Sequence, residues 1–190
     1  MTPVRARRLY LVRHGETELS ARRCYSGRRD VPLTEHGREQ ARLAGQRLRD
    51  AGLDAVYSSP LSRAMETAGA IADAAGVPLR VDERLIEVDY GSLEGMDRDG
   101  ARQHFGVAYV AWRADPMGAT LPGAEPLRDA LARAACVTSE ATGDCRCPVL
   151  VAHQGILRLV LIALGRIEPN DYFGTRLAEA EPIELTLSPC

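Results

Sequence analysis

Short apolar runs punctuate this chain, each followed by a turn signal and then by a stretch with helical spacing. The first, Leu9-Tyr10-Leu11-Val12, predicts a buried strand over about residues 8–13 that leads into a polar, arginine-rich loop at 20–32. A helix follows: Thr34 is placed to cap it, Leu33, Ala41, Ala44 and Leu48 fall at helical spacing, and Gly52 suits its exit. Residues 54–59 predict a second strand, with Ser59 placed to cap the next helix, Pro60 at its first position, and Gly76 and Pro78 closing it. A third strand is expected within 78–85, whereas 86–125, rich in Gly, Asp and Arg, is the least regular stretch. A helix near 125–140, a strand at 148–155, an apolar helix at 156–164 ended by Gly165 and a last strand at 183–187 complete the series. Alternating strands and helices predict an α/β fold with a mostly parallel sheet covered on both faces. No repeat or linker interrupts the series, so residues 1–190 read as one domain.

In such sheets ligands bind beyond the carboxyl ends of the strands. The first strand ends in Arg13-His14-Gly15, the fourth in His153-Gln154-Gly155, and the second in Ser58-Ser59-Pro60 with Arg63 just beyond. A lone strand-end histidine is more often a surface residue than a catalyst; here two reach one edge together. Two histidines, two arginines and a helix start suggest a site for one tetrahedral anion. Two histidines and an acid could instead bind zinc, but there is no H-E-x-x-H, and arginines beside both histidines would repel a cation.

Composition narrows the classes further. A net charge of −2 with 26% charged residues gives no support to nucleic acid or an anionic membrane as partner. No apolar run is long enough to span a bilayer, and the amino-terminal stretch is too polar for a signal peptide, so a cytoplasmic location is expected. The five cysteines, Cys24, Cys136, Cys145, Cys147 and Cys190, are odd in number and irregularly spaced, which argues against a disulfide framework, and the C-x-C pair Cys145 and Cys147, with no second pair at zinc-finger spacing, reads as free thiols. Every one of the 24 basic Lys+Arg residues is arginine, so no single arginine is informative apart from its position.

"LVRHGET", "YSGRRDVPLTEHGREQA", "SSPLSRAMETA", "LIEVDYGSLEGM" and "VLVAHQGILR", in this order over about residues 8–165, resemble the histidine phosphatase superfamily of phosphoglycerate mutase-like proteins. The resemblance implies a three-layer α/β/α sandwich, His14 as a nucleophile that becomes phosphorylated, and Arg13, Arg63 and His153 as the groups holding the phosphoryl oxygens. It implies Glu87 as proton donor to the leaving group, further substrate contacts from Ser20, Ser26, Gly27 and Gln154, and no metal or cofactor. The chemistry suits these types: neutral imidazole is a nucleophile near neutral pH, fixed cations stabilise a transferring phosphoryl group, and a carboxylic acid can protonate a leaving oxygen.

The chain departs from the family pattern at Ser20, where asparagine is common, at Leu93, where tryptophan is usual, and at "PGAEP" (122–126), whose Glu125 has an open role. The mutase branch usually carries a longer insertion after "EG", so the roughly fifty residues between Met96 and Val149 favour a phosphatase over a mutase. Gln154 and "CYSGRRDVPLT" look most like the α-ribazole phosphatases of cobalamin synthesis. The expected substrate is therefore a small phosphomonoester, with phosphoglycerate mutase, a broad-specificity phosphatase and a non-catalytic phospholigand-binding module as alternatives. Arg22, Arg23, Arg28 and Arg29 read as a solvated basic surface that could also line the mouth of the site.

Overall fold

The computed structural model describes residues 7–187. Cys190 lies outside them; Cys24, Cys136, Cys145 and Cys147 are free thiols. Five strands, β1 (Arg7–Arg13), β2 (Ala55–Ser58), β3 (Leu79–Val81), β4 (Pro148–Ala152) and β5 (Ile183–Leu187), form one sheet in the order β3-β2-β4-β1-β5. Four run parallel, and β5 joins the edge antiparallel to β1. Burial explains the continuous apolar runs: every residue of β2 and β4 is buried.

The pleat divides these strands between two cores. Leu9, Leu11, Tyr57 and Leu150 face α6 (Leu127–Asp144) and α7 (Gln154–Ala163), whose Ala130, Ala134, Ile156 and Leu159 pack in the same cluster. Tyr10, Val12, Val56, Val149 and Val151 face α2 (Glu35–Leu48) and α3 (Ser62–Ala75), which contribute Ala44, Leu48, Ala68 and Ile71. The result is the three-layer α/β/α sandwich with a mostly parallel sheet.

Local signals account for several boundaries. Thr34 caps α2 by accepting from the Gly37 amide at 3.0 Å, and α3 closes at Gly76. The start of α3 corrects the sequence reading: it begins at Ser62, not Pro60, and Leu61 in the cap position makes no side-chain bond. Its first amide is held from a distance, Ser62 N–H donating to the Asp30 carboxylate at 2.9 Å.

Three helices were not legible as such. A single turn, α1 (Glu18–Ala21), opens the arginine-rich loop, and α4 (Arg98–Phe105) and α5 (Val107–Ala114) occupy the stretch expected to be irregular. Only Ala101 of α4 is buried, which leaves no apolar period to read. The inner face of α5 is aromatic: Tyr109 and Trp112 meet Tyr25, Tyr90 and Phe173, and Tyr25 and Tyr109 share a 2.7 Å hydroxyl bond. Among the described residues no helix is long and apolar enough to cross a membrane.

Candidate active site

Strand register brings the two histidines together. Arg13 pairs with Ala152 across the β1–β4 ladder, and the His14 amide donates to the Ala152 carbonyl at 2.9 Å. His14 and His153 therefore leave adjacent parallel strands side by side, their rings 5.1 Å apart and tilted by 58°. Gly15 follows because the loop touches α2: a Cβ there would collide with the Gly37 carbonyl. Its amide is held by Thr67 of α3 at 3.1 Å.

Hydrogen bonds assign the proton on each ring. His14 Nδ1 lies 2.7 Å from the Gly15 carbonyl, which can only accept, so Nδ1 carries the proton and Nε2 keeps its lone pair. Arg63 Nε can only donate, and it reaches His153 Nδ1 at 3.2 Å; the proton of neutral His153 therefore sits on Nε2, 2.7 Å from Ser59 Oγ. Ser59 thus serves His153 rather than capping a helix. Arg63 is fully buried and also donates to the carbonyls of Arg29 at 2.9 Å and Gly27 at 2.7 Å, with N–H groups to spare.

Arg13 is anchored by Glu179 at 3.1 Å and the Leu177 carbonyl at 3.2 Å, while its Nε is buried without a partner. Ser26 Oγ is likewise buried and unpartnered. Unsatisfied buried donors are costly, and these two suit an incoming anion. Ser20 is otherwise occupied: its hydroxyl accepts from the Thr17 amide at 2.9 Å and donates to the Thr17 carbonyl at 3.1 Å, closing a capping box on α1. Gln154, half-buried, opens α7 beside His153.

Glu87 lies in the irregular segment between β3 and α4, yet its carboxylate takes the amino end of α7. It accepts from Gly155 and Ile156 N–H at 2.9 Å each and from its neighbour Val88 at 2.8 Å. This helix start therefore serves the acid rather than an exogenous anion. Gly155 makes the approach feasible, since a Cβ there would lie 2.5 Å from both a Glu87 carboxylate oxygen and the Tyr90 hydroxyl.

One physical cause moves the two titratable groups in opposite directions. Burial pushes His14 well below its ordinary 6.5, helped by the charges of Arg13 and Arg63. His153 is depressed by burial and by Arg63. Burial raises Glu87 above its ordinary 4.5, against the opposing pull of its amide donors and Arg63. A neutral imidazole and a protonated carboxyl thus coexist over a wider pH range than in water, which suits a nucleophile paired with a general acid. Among the described residues no group of three or more His, Cys, Asp and Glu is arranged to hold a metal ion.

Sequence reasoning did not pick out Ser59 as a partner of His153, nor Thr67, Tyr90 or Arg133. Their hydrogen bonds join segments far apart in the chain, and only the E-x-D-Y spacing of Glu87 and Tyr90 carried any local signal.

The comparisons bear on the family and the fold. A phosphoglycerate mutase of Nitrobacter winogradskyi, described as 2,3-bisphosphoglycerate-dependent, is 34% identical over 187 residues, covering 93% of this chain and 90% of the relative. A mycobacterial glucosyl-3-phosphoglycerate phosphatase solved with VO3 superposes with a TM-score of 0.85 at 30% identity, covering 95% of this chain and 91% of the other. A putative α-ribazole-5′-phosphate phosphatase of Escherichia coli gives 0.82 at 27% identity, covering 94% and 89%. The mutase coverage overturns the length argument: that relative is spanned almost whole, so a short insertion does not separate phosphatase from mutase. The model of the histidine phosphatase superfamily, branch 1, matches residues 9–189, and the chain belongs to that family.

Proposed function

We infer that this chain is a phosphomonoester hydrolase that works through a phosphohistidine on His14. The observation that carries the reading is the His14 Nδ1 bond to the Gly15 carbonyl, which leaves the Nε2 lone pair free on a ring 5.1 Å from that of His153. In the first half-reaction Nε2 attacks phosphorus, Arg13 and Arg63 stabilise the phosphoryl oxygens together with His153, whose Nε2 proton turns from Ser59 Oγ to the phosphoryl group, and Glu87 gives its proton to the departing alkoxide. In the second, water attacks phosphorus, the Glu87 carboxylate takes its proton, and the P–N bond breaks to regenerate His14 and release phosphate. Fixed cations do the work that a metal ion does in other phosphoryl transferases.

Arg28 pairs with Glu125 at 3.4 Å and Asp89 at 3.7 Å, so it is not a free counter-ion for a second anionic group. Among small phosphomonoesters, α-ribazole 5′-phosphate is the substrate we favour, supported by the Gln154 context and by the structural likeness to two α-ribazole phosphatases. A second reading, phosphoglycerate mutase, is supported by the 34% identity to the Nitrobacter protein.

One experiment separates them. Wild type is phosphorylated, and the fate of the phosphoryl group is followed in water with and without 3-phosphoglycerate. Release as inorganic phosphate at an unchanged rate supports hydrolysis, and transfer to 3-phosphoglycerate establishes the mutase. A kcat/KM panel over α-ribazole 5′-phosphate, 3-phosphoglycerate and phosphoserine then ranks substrates.

A further inference from the structure

The histidines are placed by a strand ladder, but Glu87 is not. It lies between two single-turn 3₁₀ segments, Glu83–Leu85 and Gly91–Leu93, outside every strand. Its backbone is fastened instead by one side-chain pair from outside the segment. Arg133 of α6 donates Nη1 to the carbonyls of Arg84 at 2.7 Å and Ile86 at 2.6 Å, and Nη2 to the carbonyl of Glu87 itself at 3.3 Å. Glu125 faces Arg133 in a two-point pair, Nε to Oε1 at 2.9 Å and Nη2 to Oε2 at 3.0 Å. The same Glu125 carboxylate accepts from the Asp89 amide at 3.1 Å, and the Glu125 amide donates to the Asp89 carbonyl at 2.8 Å.

Backbone groups on both sides of the proton donor thus converge on one guanidinium and one carboxylate. The pair is largely shielded, with side-chain exposures of 17% and 13%. Burial pushes Glu125 upward, but Arg133, the Asp89 amide and Arg28 outweigh it and hold its carboxyl below the ordinary range, so the pair is ionised. A planar guanidinium that satisfies three carbonyls and a carboxylate at once fixes orientation as well as distance, which a lysine could not do.

We propose that Arg133 and Glu125 are positioning residues for the proton donor: they hold the 84–89 segment so that the Glu87 carboxyl reaches the leaving-group oxygen. This rests on the reading of Glu87 as that donor. A pair that serves folding alone would affect all substrates alike. A pair that aims the acid should matter in proportion to how much the leaving group needs a proton.

The test measures phosphoenzyme formation by rapid quench in the full chain, with p-nitrophenyl phosphate and with β-glycerol phosphate, whose alkoxide is far more basic. Arg133→Ala is expected to slow the alkyl substrate roughly 10–100-fold more than the aryl one, a smaller version of the Glu87→Gln effect. The double variant Arg133→Ala/Glu87→Gln should lose no more alkyl selectivity than Glu87→Gln alone, because both act through one group. Equal slowing of the two substrates by Arg133→Ala, or full additivity in the double variant, overturns the positioning role while leaving Glu87 as the acid. Equal slowing by Glu87→Gln overturns the proton-donor reading and this inference with it. Should Arg133→Ala fail to fold, Glu125→Gln, which keeps the volume and loses the charge, is measured instead and must show the same selective loss.

Discussion

The two halves of the site are built in different ways. His14 and His153 stand at the ends of adjacent strands, where the β1–β4 ladder sets their spacing before any side chain packs. Glu87 sits in a segment without a ladder, held by Arg133, by Glu125 and by the amide groups of α7. The two histidines are therefore placed by backbone hydrogen bonds of the sheet, whereas the proton donor also depends on side chains borrowed from distant segments. The first kind of placement survives loss of its own side chains, and the second does not.

The largest test of that contrast is His14→Ala. Phosphoenzyme should disappear and turnover fall by roughly 10⁴-fold or more, while Tm shifts by no more than about 4 °C because the ladder is untouched. Retained phosphoenzyme would move the nucleophile elsewhere. A strong loss of Tm would mean that the ring, and not only the strand, supports this edge.

Gly155→Ala strikes the other half. The added methyl group collides with the Glu87 carboxylate and the Tyr90 hydroxyl, both within 2.5 Å, and displaces the acid without touching His14. Rapid-quench rates with β-glycerol phosphate should fall roughly 10–100-fold, with p-nitrophenyl phosphate much less affected. Equal losses would show that the helix start, not the acid, was disturbed.

A pH profile sharpens the comparison further. The first half-reaction needs neutral His14 and protonated Glu87, so with alkyl substrates kcat/KM should hold on the acid side to well below pH 6.5. On the alkaline side it should decline at a pH above 4.5, set by Glu87, and Glu87→Gln should erase that limb alone. Stability carries the opposite burden: the unfolded chain binds protons that buried His14 and His153 refuse. Tm should therefore fall as pH drops from the unfolded value of 6.5 toward their depressed folded values. In Glu87→Gln, which removes the opposing gain from the raised Glu87 carboxyl, a flat Tm between pH 7 and 5 would count against the burial of both rings.

What the sequence could and could not disclose follows the same division. The Thr34 cap and the strand at 183–187 were legible because each rests on local pattern and turn chemistry, whereas the fourth strand, read as 148–155, stops at Ala152 because His153 caps α7, which starts at Gln154 rather than 156. The start of α3 was misread because Ser59, an ordinary capping residue by type, spends its hydroxyl on His153 across 94 positions of chain. Glu125 had no readable role because its partners, Asp89 and Arg133, belong to different segments. Helix α4, with one buried residue, had no period to detect.

The smallest expected effect concerns Ser20, which the family pattern offers as a phosphate contact and the structure uses to close the capping box of α1 on Thr17. Ser20→Ala should cost about 1 kcal/mol of stability, lowering Tm by about 2–4 °C, with KM changed less than about threefold. A larger rise in KM would place the hydroxyl on substrate.

The aromatic face of α5 has a spectroscopic consequence. Trp112 is the sole tryptophan of the chain, 2% exposed, with its ring centroid 6.4 Å from Tyr90 and 4.6 Å from Phe173. Its intrinsic fluorescence arises from a single indole on α5 that packs against the tyrosine beside the proton donor. Emission from that one ring therefore reads the seating of this corner of the molecule during turnover, without a label.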